Sequence, residues 1–238
     1  MNENNIRFGV VLLSAGTGSR MNSDIPKQYI VIEGHPVLYY SLYEFEMCPY
    51  VSEIVIVAAE QYHDMIMKDI VTAGGFSKVS AVTEGGKERY NSVYNGLKKL
   101  KDVDYVMIHD GARPLISEKL ISDSIENVKK YRAIVPAIAV KDTIKKINDS
   151  NEVLDTPERA YLRAAQTPQC FELNLILDAF DKYNSDTLLE HLPTDDGSLI
   201  ELYSDANVVI TEGDENNLKI TTPIDLRIAE MILGDESQ

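Results

Sequence analysis

The residues best suited to chemistry lie in the first 28 positions. An apolar run, Phe8-Gly-Val-Val-Leu-Leu-Ser14, meets the loop Ala15-Gly16-Thr-Gly18-Ser-Arg20-Met21, and Pro26-Lys27-Gln28 follows shortly after. A buried strand that ends in a small-residue loop exposes backbone N–H groups able to wrap a phosphate chain. Arg20 and Lys27 then supply two cations where that chain would lie. Glycines let the backbone approach closely, and Pro26 stiffens the approach to Lys27. Such a constellation points to a nucleotide site that does chemistry.

Other readings of this loop fit less well. A dinucleotide fingerprint wants Gly or Ala where Met21 stands, and an acidic strand end about twenty residues on. The first acidic strand end here is Glu60, too distant. A P-loop fails too, because no Gly-Lys-Ser/Thr follows at the required interval. Glycines alone would indicate only a turn; Arg20 and Pro26-Lys27-Gln28 argue for more.

Further groups recur in loops along the chain. Glu84-Gly85-Gly86-Lys87-Glu88-Arg89 follows a strand and precedes a helix, where Gly86 and Ser92 could receive a base or a sugar, or the glycines could be a turn only. His109-Asp110-Gly111-Ala112-Arg113-Pro114 ends the next strand. Asp110 there could hold a ribose hydroxyl or a hydrated metal, and Arg113 could reach a phosphate; the alternative is an internal Asp–Arg pair closing the loop. His109 reads as a satisfied core histidine. Gln166-Thr167-Pro168-Gln169 reads as the lead-in to a helix with Pro168 as a helix starter, and Thr194-Asp195-Asp196 as a helix cap. Asn217-Leu-Lys219-Ile-Thr-Thr222-Pro223 separates the last strand from the last helix, and Lys219 could merely balance Glu212, Asp214 and Glu215. The four histidines show no metal-ligand spacing, and no Ser/His/Asp or Cys/His arrangement is indicated.

Composition sets the bounds. The 238 residues are 44% hydrophobic, enough for one large α/β domain or two small ones, and carry a net charge of −15. A chain this acidic would repel a nucleic-acid backbone, so no nucleic-acid partner is expected. A small phosphorylated substrate stays compatible if the few cations converge. No run approaches eighteen apolar residues, so no membrane span is expected. Met-Asn-Glu-Asn-Asn lacks the parts of a signal peptide, and Cys48 and Cys170 read as reduced thiols; both features point to the cytoplasm.

The elements that must position these groups alternate strand and helix. Short Val/Ile/Leu runs predict strands over 7–14, 53–59, 77–82, 104–109, 132–139 and 207–212. Helical segments fall near 36–47, 61–73, 89–100 and 117–130, the third with an apolar face of Tyr90, Val93, Tyr94, Leu97 and Leu100. A final helix begins at Thr222-Pro223. The pattern implies an α/β, three-layer, mainly parallel Rossmann-like sheet, with ligands at the carboxyl ends of its strands. Residues 141–162 break the rhythm. Alternation from Thr143 and the turn Asp149-Ser-Asn151 suggest a projecting β-hairpin arm that docks on a partner subunit, or else a surface flap.

In order and spacing, Ala15-Gly-Thr-Gly-Ser-Arg-Met, Pro26-Lys-Gln, Gly85-Gly-Lys-Glu-Arg, His109-Asp-Gly-Ala-Arg-Pro, Asp142-Thr-Ile-Lys, Gln166-Thr-Pro-Gln and Asn217-Leu-Lys-Ile-Thr resemble the 2-C-methyl-D-erythritol 4-phosphate cytidylyltransferase family of the non-mevalonate isoprenoid pathway. The resemblance runs from about residue 7 to 233. It implies a single nucleotidyltransferase domain that joins CTP to a sugar-alcohol phosphate, releasing pyrophosphate with the help of Mg²⁺ or another divalent cation. Arg20, Lys27, Arg159 and Lys219 would then be catalytic, and Ala15, Gly16, Gly18, Gly86, Ser92, Asp110 and Gly111 would line the CTP site with them. Asp110, Arg113, Thr143, Arg159, Thr167 and Lys219 would meet the alcohol phosphate, and Asp110 would face the metal, directly or through water. Arg159 and Thr143 would be delivered by the 141–162 arm into the partner's site, implying a homodimer. The related ribitol-5-phosphate cytidylyltransferases share the first motif and the final lysine but carry bulkier residues than Gly111-Ala112. Lys87 replaces an acidic residue of some relatives, and Arg163 stands where many are aromatic. A catalytically silent nucleotide sensor is the reading from another class; Arg20 and Lys27 together count against it, because CTP can be bound without transition-state cations.

Overall fold

The computed structural model describes residues 6–16, 25–186 and 193–236. Strands β1 (Phe8–Leu13), β2 (Val31–Ile32), β3 (His35–Pro36), β4 (Val51–Ala58), β5 (Val79–Glu84) and β6 (Tyr105–Asp110) alternate with helices α1 (Val37–Met47), α2 (His63–Met65, running on as a π-helical Ile66–Thr72) and α3 (Arg89–Leu97). Helix α4 (Glu118–Tyr131) leads into β7 (Ala133–Ala139), then β8 (Lys146–Ile147), β9 (Val153–Asp155), β10 (Arg163–Ala165) and β11 (Gln169–Glu172). Helices α5 (Leu173–Ser185) and α6 (Asp196–Tyr203), strand β12 (Val209–Glu212) and helix α7 (Pro223–Glu236) complete the order.

Eight strands form one mixed sheet. β5, β4, β1 and β6 run parallel as neighbours, and β12 runs parallel to β7. β11 joins β6 to β7 and is antiparallel to both, while β10 adds antiparallel to the far half of β7. Residues alternate between the two faces as the strand period requires. Phe8, Val10, Leu12, Ile54, Ile56 and Met107 pack with α1, α2 and α4; Val11, Val55, Val57, Val106 and Ile108 pack with α3, α5 and α6. Burial on both faces explains why these strands read as continuous apolar runs.

The expected strands appear within a few residues of their sequence positions, and β2, β3, β10 and β11 come in addition. Gln166–Gln169 does not open a helix: Gln169 begins β11, which sits inside the sheet, and α5 starts only at Leu173. Pro168 therefore precedes a strand and caps nothing. In the 141–162 segment, β8 and β9 pair antiparallel around Asn148–Asn151, and Asn148 Oδ1 accepts from the N–H groups of Ser150 at 3.0 Å and Glu152 at 2.9 Å. The hairpin is solvent-exposed, with Ile144, Ile147, Val153 and Leu154 uncovered.

Candidate active site

Loops leaving the carboxyl ends of β1, β5, β6 and β12 converge on one cavity, as expected for a parallel sheet. The β1 loop is held from below by the Pro26–Tyr29 turn. Gln28, buried, donates its side-chain amide to the Ser14 carbonyl at 2.7 Å and to the Gly16 carbonyl at 2.9 Å. The Tyr29 hydroxyl donates to the same Ser14 carbonyl at 3.0 Å and accepts from Ser14 Oγ at 2.9 Å. Burial raises the Tyr29 hydroxyl above its ordinary pKa, so it stays a neutral donor. Lys27 Nζ donates to the Ile220 carbonyl, which brings the β1 side of the site against the loop before α7.

The β5 loop closes on the β1 loop. A Cβ added at Gly85 would fall 2.5 Å from Ala15 Cβ, so only glycine allows this approach. The Gly86 N–H donates to Ser92 Oγ at 2.9 Å, and Glu88 and Asn91 form a capping box that starts α3. The β6 tip is anchored similarly: Gly111 N–H donates to the Leu13 carbonyl at 2.8 Å, and a Cβ at Gly111 would lie 2.9 Å from that oxygen.

His109 fixes the turn beneath Asp110. Its Nε2 lies 3.3 Å from the Arg113 carbonyl, which can only accept, so that nitrogen carries the proton. Nδ1 then accepts from the Thr167 hydroxyl at 3.0 Å, and Thr167 Oγ1 accepts the Asp110 N–H at 3.2 Å. Burial pushes the imidazole down to about 4, so it is neutral and structural, as the sequence indicated.

Asp110 is the electrostatic hub. Its carboxylate lies 2.7 Å from Lys219 Nζ, 3.5 Å from Arg89 Nε and 3.9 Å from Arg113 Nε. Burial alone would raise its pKa, but Arg89, Lys219 and Arg113 together hold it well below the usual carboxylate range. Arg89 is in turn bound at both terminal nitrogens by Asp196, each at 2.8 Å.

The cavity these groups enclose measures about 490 Å³. Lys27, Lys87, Arg89 and Lys219 line it against two carboxylates, Glu88 and Asp110. An excess of cations thus gathers in one place in a chain of net charge −15. A separate cavity of about 630 Å³ at the base of the arm presents Arg163 against Glu212 and Glu215, a balance that disfavours a polyanion.

Ala15, Gly16, Lys27, Gly86, Ser92, Asp110 and Lys219 therefore meet at one site. Gly18 and Arg20 lie outside the described residues. Gly111 sits behind the cavity wall. Arg113 and Thr167 do not line the cavity: both are buried, Arg113 Nη1 donates to the Asn217 carbonyl at 2.6 Å, and the Thr167 hydroxyl is used by His109 and Asp110. Of the two readings of Asp110 and Arg113, the internal pair is the one present here. Thr143 and Arg159 are exposed on the arm, away from this cavity, with Arg159 Nη1 donating to the Lys141 carbonyl at 2.8 Å. Sequence reading passed over Asp196 as a cap and gave Arg89 no separate role. The cap itself belongs to Asp195, whose carboxylate accepts from Ser198 N–H. Nothing in the sequence pairs Arg89 with a residue 107 positions away.

Among the described residues no group of three or more His, Cys, Asp or Glu side chains could hold a metal ion by itself. Asp110 could give one carboxylate to a divalent ion that took its other ligands from phosphate oxygens and water. No helix among the described residues is long and apolar enough to cross a membrane.

Comparison with known proteins gives the family and the fold. The family model described as "IspD: 2-C-methyl-D-erythritol 4-phosphate cytidylyltransferase" matches residues 8–235. The 2-C-methyl-D-erythritol 4-phosphate cytidylyltransferase of Alkaliphilus oremlandii is 44% identical over 232 residues, 97% of each chain. That of Clostridium perfringens strain SM101 is 43% identical over 92% of this chain and 96% of its own. The crystal structure of 4-diphosphocytidyl-2C-methyl-D-erythritol synthase from Anaerococcus prevotii superposes with a TM-score of 0.84 at 33% identity, covering 97% of both chains.

Proposed function

This chain belongs to the 2-C-methyl-D-erythritol 4-phosphate cytidylyltransferase family, and on that premise we propose how its residues carry out the family's reaction. It is an enzyme that transfers CMP from CTP to 2-C-methyl-D-erythritol 4-phosphate (MEP) in isoprenoid biosynthesis, giving the diphosphocytidyl alcohol and pyrophosphate. The observation that carries the reading is the convergence of Lys27, Arg89 and Lys219 on one cavity beside the β1 loop.

The chemistry needs no strong base. An anionic oxygen of the MEP phosphate attacks the α-phosphorus of CTP in line, a new P–O bond forms, and the bond to the β-phosphate breaks with its electron pair leaving on pyrophosphate. No proton has to be removed. The obstacle is mutual repulsion of two polyanions and the charge that builds on the α-phosphate. Holding both substrates in register can supply roughly 7–11 kcal/mol. Fixed cations supply the electrostatic part, each charge-stabilising donor being worth about 3–4 kcal/mol.

In this reading the loop after β1 receives the triphosphate, and Arg20 and Lys27 bind it and stabilise charge developing on the α-phosphate. Gly86 and Ser92 take the base. Asp110 holds Lys219, and Lys219 would pass its contact to the α-phosphate when CTP binds. Arg113, buried with its Nε 3.9 Å from Asp110 Oδ2, would act on the alcohol phosphate only through that carboxylate. A divalent cation riding on the triphosphate, with Asp110 facing it, would neutralise phosphate charge. The arm's exposed Ile144, Ile147, Val153 and Leu154 favour a homodimer in which Thr143 and Arg159 enter the partner's site. We place the enzyme in the cytoplasm, where its nucleotide substrate is made.

Gly111-Ala112 argue for MEP over ribitol 5-phosphate, because the ribitol relatives carry bulkier residues in this loop. The deciding experiment measures pyrophosphate release with CTP and each alcohol phosphate in turn. Turnover with MEP is expected. Turnover with ribitol 5-phosphate alone would reassign the substrate, and CTP binding without release from either would indicate a sensor.

A further inference from the structure

We infer that Asp196 is a positioning residue for the transfer: by gripping both terminal nitrogens of Arg89, it keeps Asp110 aimed at Lys219. This rests on Asp110 and Lys219 belonging to the CTP site as read above. Asp196 is 2% exposed and takes no part in lining the cavity. A buried carboxylate needs a partner, and here the partner is a two-pronged one, Nη1 to Oδ1 and Nη2 to Oδ2, both at 2.8 Å.

The grip has a consequence one residue further on. With both terminal nitrogens occupied, Arg89 offers Asp110 only its Nε, at 3.5 Å from Oδ1. Asp110 Oδ2 then faces Lys219 at 2.7 Å, with Arg113 Nε farther off at 3.9 Å. Released from Asp196, the guanidinium fork would match the Asp110 carboxylate edge to edge and compete with Lys219 for it.

Asp196 is itself fixed against the sheet. Gln169, in β11, accepts the N–H groups of Asp196 and Gly197 at 2.9 Å each through Oε1 and donates to Asp195 Oδ2 at 2.9 Å. The order of contact runs from β11 to the start of α6, then to Arg89 at the start of α3, to Asp110 and to Lys219. The competing view is that the pair only staples α3 to α6, and turnover can separate the two.

The test compares Asp196→Asn, Arg89→Gln and the double variant, reading kcat, KM for CTP and melting temperature. Each single variant is expected to lower kcat by about 10- to 100-fold, the scale of a misplaced catalytic group. For Asp196→Asn, which leaves the cavity's cations in place, KM for CTP should move by less than about threefold, because an effect confined to the transition state appears in kcat. The double variant, with no unpaired buried charge, should regain melting temperature without regaining kcat. Recovery of kcat together with stability, or wild-type kcat in the single variants, would overturn the inference. Should Asp196→Asn not fold, Arg89→Lys decides, since it keeps the charge and loses the fork: lowered kcat at retained KM supports the inference, and wild-type kcat overturns it. Wild-type protein that releases no pyrophosphate from CTP and MEP would instead sink the functional reading, before any variant is compared.

Discussion

Lys219 and Asp110 meet at 2.7 Å across the gap between the tip of β6 and the loop that enters α7. The ion pair holds a cation on the wall of the cavity and neutralises its charge. The cost of desolvating Asp110 is offset by three cations around one carboxylate, a network that places Lys219 and leaves its side chain about two-fifths exposed to an incoming phosphate.

Lys27 faces the same cavity from the opposite wall. Lys27→Ala is expected to lower kcat by about 10²–10³, the loss seen when one charge-stabilising donor is removed. The melting temperature should change little, since Lys27 is only half-buried. Steady-state kinetics and a thermal melt check this, and near-wild-type turnover would take Lys27 out of the mechanism.

Gln28 acts on the same loop without touching chemistry. Gln28→Ala would leave the Gly16 carbonyl without its side-chain donor and the Ser14 carbonyl with the Tyr29 hydroxyl alone. Losing such partners typically costs about 1–3 kcal/mol. The loop that should meet the triphosphate would loosen, and KM for CTP should rise by about tenfold, equivalent to 1.4 kcal/mol. An unchanged KM alongside a lowered melting temperature would restrict Gln28 to folding.

The arm makes a prediction about mixed subunits. Arg159→Ala and Lys27→Ala protomers, each impaired alone, should recover part of the wild-type activity when combined, because one site in the heterodimer would then receive both intact residues. No recovery despite mixing proven by mass would mean that each site is built within a single chain.

Asp225 secures the loop that carries Lys219. Its carboxylate accepts from the N–H groups of Thr221 at 2.9 Å and Thr222 at 2.8 Å. Burial alone would raise its pKa, but these donors lower it overall. A carboxyl depressed in the folded state contributes stability above its unfolded value, near pH 4, and that contribution is lost as the pH falls through the lower folded value. Asp225→Ala should therefore cost about 1 kcal/mol at neutral pH, the usual worth of such a cap. Urea titrations should show the gap between variant and wild type closing below about pH 4; a constant gap would contradict the linkage.

Much of this site was legible in the linear sequence because its chemistry is local. The apolar run before Ala15, the Gly85-Gly86 pair before Arg89, and Asp110 at a strand end each declare strand, loop and helix within ten residues. The family resemblance was legible for the same reason, since it rests on short motifs in a fixed order. The arm could be read from Thr143-Ile-Lys-Lys-Ile and its Asn/Asp/Ser turn.

Folding decided what sequence separation concealed. Gln169–Glu172 is too short and too close to Pro168 to announce a strand, yet the sheet takes it in antiparallel between β6 and β7. Arg113 looks like a phosphate ligand on paper; packing buries it against the Asn217 carbonyl. Asp196 sits among capping residues, and only the meeting of α6 with α3 turns it into the partner of Arg89. Residue type and spacing determined which groups could bind a nucleotide. Which of them face the cavity and which stand behind it depended on pairings between distant segments, set by burial and charge compensation in three dimensions.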